Sequence, residues 1–236
     1  MSRSSPEAVR PARVGARRTD PAALARAKAL LWWPVRAVTS PLLRFHLPWL
    51  AQTGWVRSRR ERRCVDRDGN PIPWITYPAI HLLGARVHRE LDVFEYGAGA
   101  STLWWAAHAR SVTAVDHAPD WGRWVSASLP ANATVRHVPL DDSDAYTGAP
   151  QALGRTFDVI VIDGRRRVRC VPFALATRGA HGVIVFDNAD RPEYEPGLRA
   201  LAAAGLRRLD LVGLAPMIDY QSMTSIFYRD GNCLGL

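Results

Sequence analysis

Residues 93–102, VFEYGAGAST, set a glutamate two positions ahead of a pair of glycines that flank an alanine. A strand that breaks into such a turn before a helix lets a ligand approach the backbone, and the first N–H groups of the helix are free to receive it. A pyrophosphate would want a third glycine where Thr102 stands, and Glu95 would repel it. A cationic ligand with an amino group suits that carboxylate better. Asp116 follows Gly97 by 19 residues, at the end of the next strand-like run, where a carboxylate can accept from both hydroxyls of a ribose. Further polar residues recur after later runs: Asp141 with Asp142, Asp163, and Asp187 with Asn188. Strand ends are loops and loops are polar, but one placement after five strands is hard to obtain by chance.

Such residues need a scaffold that brings strand ends together. Strand-like runs span 91–97, 111–117, 134–140, 157–164, 182–189, 206–213 and 224–230. Helix-like runs precede or separate them at 79–89, 101–110, 120–129, 169–179 and 197–205, the second starting on Ser101 as its cap. Continuous apolar strands alternating with helices predict an α/β fold, a doubly wound and mostly parallel sheet covered on both faces. In such sheets the ligand sits at the carboxyl ends of the strands, beside the first one.

With these motifs the chain resembles the class I S-adenosylmethionine-dependent methyltransferases. EYGAGAS is similar to their first motif, VTAVDH to the ribose-binding second strand, and FDVIVIDG to the motif on the fourth. The resemblance covers about residues 72–230, and DGNPIPWITYPAIHLL (68–83) with DNADR (187–191) resembles a little-characterised bacterial branch. It implies a Rossmann-like sheet of seven strands whose last, TSIFYRD, is antiparallel. It also implies S-adenosylmethionine as cofactor, held by Glu95, Gly97, Gly99, Ser101 and Asp116. Asp141 and Asp142 would lie near the adenine, or DDSD is simply a solvated loop. Trp121 would edge the same pocket or pack, whereas Trp104 and Trp105 read as core.

Strands four and five are neighbours in that fold, so Asp163, Asp187 and Asn188 would converge as oxygen donors for Mg²⁺. The catechol-type O-methyltransferases resemble this in using an Asp after strand four and an Asp-Asn pair after strand five. A metal there would lower the pKa of a substrate hydroxyl. Where those enzymes have a lysine base this chain has Arg166, which stays protonated. The metal alone, Asp163, or His117 would then have to manage the proton, or no metal binds. The other histidines, 46, 81, 88, 108, 137 and 181, lack ligand spacing. Arg165, Arg166, Arg167 and Arg169 would clamp an anionic acceptor or pair with neighbouring acids.

The whole chain has 236 residues, 47% apolar, and a formal charge of +9. Residues 1–63 carry 14 Lys/Arg against 3 Asp/Glu, so the basic character belongs to the N-terminal part. Residues 1–22 are Arg-, Ser- and Pro-rich and predict a disordered basic tail, with no apolar run suited to a signal peptide. Residues 23–64 predict a helical extension, and 65–236 the methyltransferase-like domain. Trp32, Trp33, Phe45 and Trp49 would let the extension either pack or lie on an anionic membrane surface; its arginines and prolines exclude a spanning helix. Lys28 is the single lysine, and Cys64, Cys170 and Cys233 lack metal-ligand spacing, which suits reduced thiols in the cytoplasm, free or peripheral at the inner membrane face. Nucleic acid is an unsuited partner, since no RNA-binding pattern accompanies the tryptophans. The leading function is O-methylation of a small-molecule, glycan or lipid-linked acceptor. The alternatives are an aminopropyl transferase, for which an acidic amine-binding loop is not evident, and a non-catalytic, membrane-associated scaffold.

Overall fold

The computed structural model describes residues 48–119, 129–141 and 143–236. The tail 1–22, the extension up to residue 47, the helix expected from residue 120 with Trp121, and Asp142 lie outside the described residues. One compact unit runs from Trp49 to Leu236, so its start falls before the expected boundary at Val65. Seven strands build it: β1 (Asp92–Tyr96), β2 (Ser111–Asp116), β3 (Ala133–His137), β4 (Phe157–Ile162), β5 (Arg178–Asp187), β6 (Arg207–Gly213) and β7 (Ser222–Tyr228). The described helices are α1 (Trp55–Glu61), α2 (Tyr77–Gly84), α3 (Ala100–His108), α4 (Arg167–Thr177) and α5 (Glu195–Ala203).

The strands form one sheet in the order β3-β2-β1-β4-β5-β7-β6. β1 to β5 pair in parallel, and β7 runs antiparallel between β5 and β6. The central strands read as unbroken apolar runs because both of their faces are covered. Val93, Val159, Val161, Val183 and Val185 face a cluster that includes Leu83 of α2 and Trp105 of α3. Their neighbours Phe94, Ile160, Ile162, Ile184 and Phe186 point the other way, onto Cys170 and Val171 of α4 and Leu198 and Leu201 of α5. This two-residue alternation divides one core into two layers of side chains. Edge strand β6 instead exposes Arg207 and Arg208, charges that discourage pairing with another chain.

Several boundaries differ from the sequence expectation for local reasons. β5 starts at Arg178, earlier than residue 182, because the strand pairs Arg178 with Phe157 and crosses a register irregularity before Val159 meets Val183. α2 runs from Tyr77 to Gly84, with Pro78 in its first turn where a missing N–H is harmless. Cys64 and Cys170 are buried, and burial pushes both thiols up to about 12.

Candidate functional site

β1 delivers its chain into Gly97 at φ +92, a left-handed conformation that favours glycine. The Gly97 N–H donates to the Val115 carbonyl at 2.8 Å, which ties the turn to β2. A Cβ on Gly97 would lie 3.2 Å from the Gly164 Cα, so the turns after β1 and β4 meet at two bare residues. A Cβ on Gly164 would fall 2.0 Å from the Tyr146 Oη, which itself accepts the Arg165 N–H at 3.2 Å. Gly99, at φ 175, is extended and its dihedral does not require glycine.

The helix α3 is capped differently from the expectation. Gly99 is the cap residue, and its N–H donates to the Thr102 Oγ1 at 3.1 Å, whereas Ser101 lies inside the first turn. The Thr102 hydroxyl in turn donates to the Glu95 Oε2 at 2.6 Å. Glu95 is buried, and burial raises its carboxyl to about 7; the Ser101 and Thr102 hydroxyls oppose that rise and the Asp116 charge adds to it. Thr102 therefore links the acid to the turn. From sequence Thr102 marks a departure from the dinucleotide pattern, and a hydroxyl seven residues after an acid is the signal that points to this link.

Asp116 ends β2 almost completely buried. Its Oδ2 accepts the Ala98 N–H at 3.0 Å and its Oδ1 the Ala118 N–H at 2.7 Å. Both oxygens keep a lone pair, and the carboxylate is fixed against the glycine turn. His117 stands beside it, with Nδ1 3.4 Å from the Asp116 Oδ1. β1 separates β2 from β4, so His117 and Asp163 belong to opposite sides of the turn. Asp141 turns its Oδ1 onto the N–H of Ser143 at 3.0 Å, in its own exposed loop.

At the ends of β4 and β5 the arrangement departs from a metal site. Arg167 occupies the place between the two acids: its Nη2 donates to the Asp163 Oδ1 at 2.8 Å, and its Nη1 lies 3.9 Å from the Asp187 Oδ2. Asp187 is held from the other side by the Thr224 hydroxyl at 2.7 Å. Asn188, at φ 53, directs its amide to the Ser222 Oγ at 3.1 Å. Asp163, Asp187 and Asn188 thus do not fit the expected Mg²⁺, since a guanidinium lies where the ion would coordinate. Among the described residues no group of three or more His, Cys, Asp or Glu side chains is arranged to hold a metal. Burial raises the Asp187 carboxyl, the Asp163 charge raises it further, and Arg167 opposes both. Asp163 is also raised by burial, with Arg167 opposing.

The arginine cluster is split by the start of α4. Arg167 turns inward and is 7% exposed, while Arg169 pairs with Asp144 at 2.7 Å and Arg166 reaches the Ser143 carbonyl at 3.3 Å. No described residue hydrogen-bonds to the second oxygen of Asp163, whose side chain is 24% exposed.

A family profile described as a methyltransferase domain matches residues 94–189, from β1 to just past Asn188. No curated protein is significantly similar to the chain. Among solved structures, a precorrin-6y C5,15-methyltransferase from Geobacter metallireducens superposes with a TM-score of 0.50 at 15% identity, over 64% of this chain and 86% of that one. The N-methyltransferase NodS from Bradyrhizobium japonicum, in complex with S-adenosyl-L-homocysteine, gives a TM-score of 0.45 at 15% identity, over 75% of this chain and 98% of that one. At such identities the likeness is one of fold.

Proposed function

We propose that the chain is a class I S-adenosylmethionine-dependent methyltransferase and that it methylates an oxygen of a small-molecule or glycan acceptor. One observation carries the cofactor assignment. Two buried carboxylates, Glu95 and Asp116, converge on a bare glycine turn, and no arginine or lysine hydrogen-bonds to either among the described residues. Such a site favours a ligand with a positive charge and a pair of hydroxyls.

Asp116, already oriented by two backbone N–H groups, accepts from the ribose hydroxyls with its remaining lone pairs. Glu95 faces the amino group, beside the turn at Gly97 that packs against Gly164. When bound, S-adenosylmethionine supplies an electrophilic methyl group on a sulfonium, and its transfer depends mainly on in-line positioning. Asp163 holds one oxygen on Arg167 and offers the other to the acceptor hydroxyl as proton acceptor. Its raised basicity supports that role, and the sole lysine, Lys28, lies far outside the domain in sequence. The exposed Arg165 and Arg191 suit an acceptor with an acidic group.

Calorimetric titration with S-adenosylmethionine and with S-adenosylhomocysteine tests the reading. Saturable binding of both is expected, and Asp116→Ala should weaken it about 10–100-fold, the worth of hydrogen bonds to a charged group. Absence of binding to either compound by the folded protein would refute the cofactor assignment.

A further inference from the structure

We propose that Arg167 is a resident cation of the acceptor edge, a positioning residue that stands in place of a divalent metal and keeps such ions out. All three guanidinium nitrogens are committed. Nη2 donates to the Asp163 carbonyl at 3.0 Å and to its carboxylate at 2.8 Å, Nε to the Gly164 carbonyl at 3.1 Å, and Nη1 to the Asp187 carbonyl. These acceptors are the backbone ends of β4 and β5 together with their terminal acids, the oxygens that an ion at this edge would require. The Tyr194 ring lies 5.1 Å from the Cζ and packs against the guanidinium. A divalent ion would need about six oxygens near 2.1 Å, in a space already filled by a planar group that cannot lose its charge. One fixed positive charge against two carboxylates also suits the edge electrostatically, since a second cation would sit beside Arg167 in a poorly screened interior.

The arrangement has a chemical consequence. A metal would take hold of both the acid and the acceptor oxygen, whereas Arg167 pins one oxygen of Asp163 and leaves the other without a hydrogen bond from a described residue. Proton removal then rests on the carboxylate and not on Lewis acidity. The metal-exclusion claim does not depend on the methyltransferase reading, because it concerns ion binding by the free protein.

Mn²⁺ alone is the probe, titrated into the full chain and followed by the electron paramagnetic resonance signal of the free ion. The wild-type chain is expected to bind no stoichiometric Mn²⁺. Arg167→Ser, which frees both carboxylates, is expected to bind one equivalent at least about tenfold more tightly than wild type, and Asp187→Asn in that background should abolish the gain. If Arg167→Ser is too unstable to titrate, its unfolding midpoint is measured with and without Mn²⁺, and the ion should raise it while leaving wild type unchanged. Saturable one-equivalent binding by wild type that is lost in Asp163→Asn would overturn the proposal. So would an Arg167→Ser protein that neither binds Mn²⁺ nor is stabilised by it. Binding of S-adenosylmethionine in the presence of EDTA supplies a separate readout: it should be unchanged, and its loss would show that a metal is needed.

Discussion

Burying Glu95 at the end of β1 removes a carboxylate from water and leaves it facing the Ser101 and Thr102 hydroxyls of α3, Asp116 of β2 and the charge of Asp163 beyond β4. None of these is a cation, so the neutral form is favoured until a positive ligand arrives. With a folded value of about 7 against an ordinary 4.5, Glu95 contributes stability that is complete below pH 4.5 and lost as pH rises through 7. The size of that loss is on the order of 3 kcal/mol at most. Glu95→Gln cannot titrate, and so the fall in unfolding free energy between pH 5 and 7.5 should be shallower in the variant, measured by urea denaturation of the ligand-free protein. A slope remains in either case, because burial raises Asp163 and Asp187 as well. Parallel profiles for variant and wild type would mean that Glu95 ionises normally and has other partners.

The turns after β1 and β4 approach so closely that their side chains must be absent, and Gly164 is the stricter of the two. Gly164→Ala would drive a methyl group into the Tyr146 Oη and against the Gly97 N and Tyr96 carbonyl carbon, both 2.9 Å away. Overpacking of this kind costs about 1–3 kcal/mol. Tyr146→Phe removes the nearest atom but not the backbone contacts, so the double variant should recover part of the loss. A denaturation cycle should therefore return a favourable coupling of about 0.5 kcal/mol or more. Additive losses would place the damage in the β1 backbone instead. The elements themselves were largely readable: VFEY, FDVIVI and GVIVFD could only be covered on both faces, and the acids at their ends had to share one rim. Arg167 was not readable, because Arg165, Arg166, Arg167 and Arg169 look alike until the start of α4 decides which one turns inward. An arginine four residues after Asp163, at the first position of α4, was the spacing that allowed it. The cap of α3 differs from the expectation for a related reason, since Ser101 and Thr102 are equally good hydroxyls, and Gly99 takes the cap position with Thr102 Oγ1 accepting its N–H.

Across the whole molecule the compact unit includes residues that the composition assigned to a basic extension. Trp55 donates its Nε1–H to the Ile218 carbonyl at 2.6 Å, the Ser58 hydroxyl both donates to and accepts from Val65, and Trp49 meets Tyr77 edge-on at 6.1 Å. A chain starting at Val65 loses all of these, whereas one starting at Trp49 keeps them. The first should be destabilised by at least about 2 kcal/mol relative to the full chain, from three lost hydrogen bonds and exposed aromatic surface; the second should match the full chain in urea midpoint and in affinity for S-adenosylmethionine. Charge separates differently. Residues 1–48 carry 9 Lys/Arg against 2 Asp/Glu, a net +7 of the total +9, which leaves +2 for the compact unit. No helix among the described residues is long and apolar enough to cross a membrane. The N-terminal charge motivates one membrane reading, electrostatic and peripheral contact with anionic lipid. Flotation with anionic vesicles should then recover the full chain at low salt, release it at about 0.5 M salt, and never recover the chain starting at Trp49. Equal flotation of the two chains would move the lipid contact to the compact unit, where the arginines of α1 are the basic surface nearest to hand, and no flotation of either would leave the N-terminal charge without a membrane role.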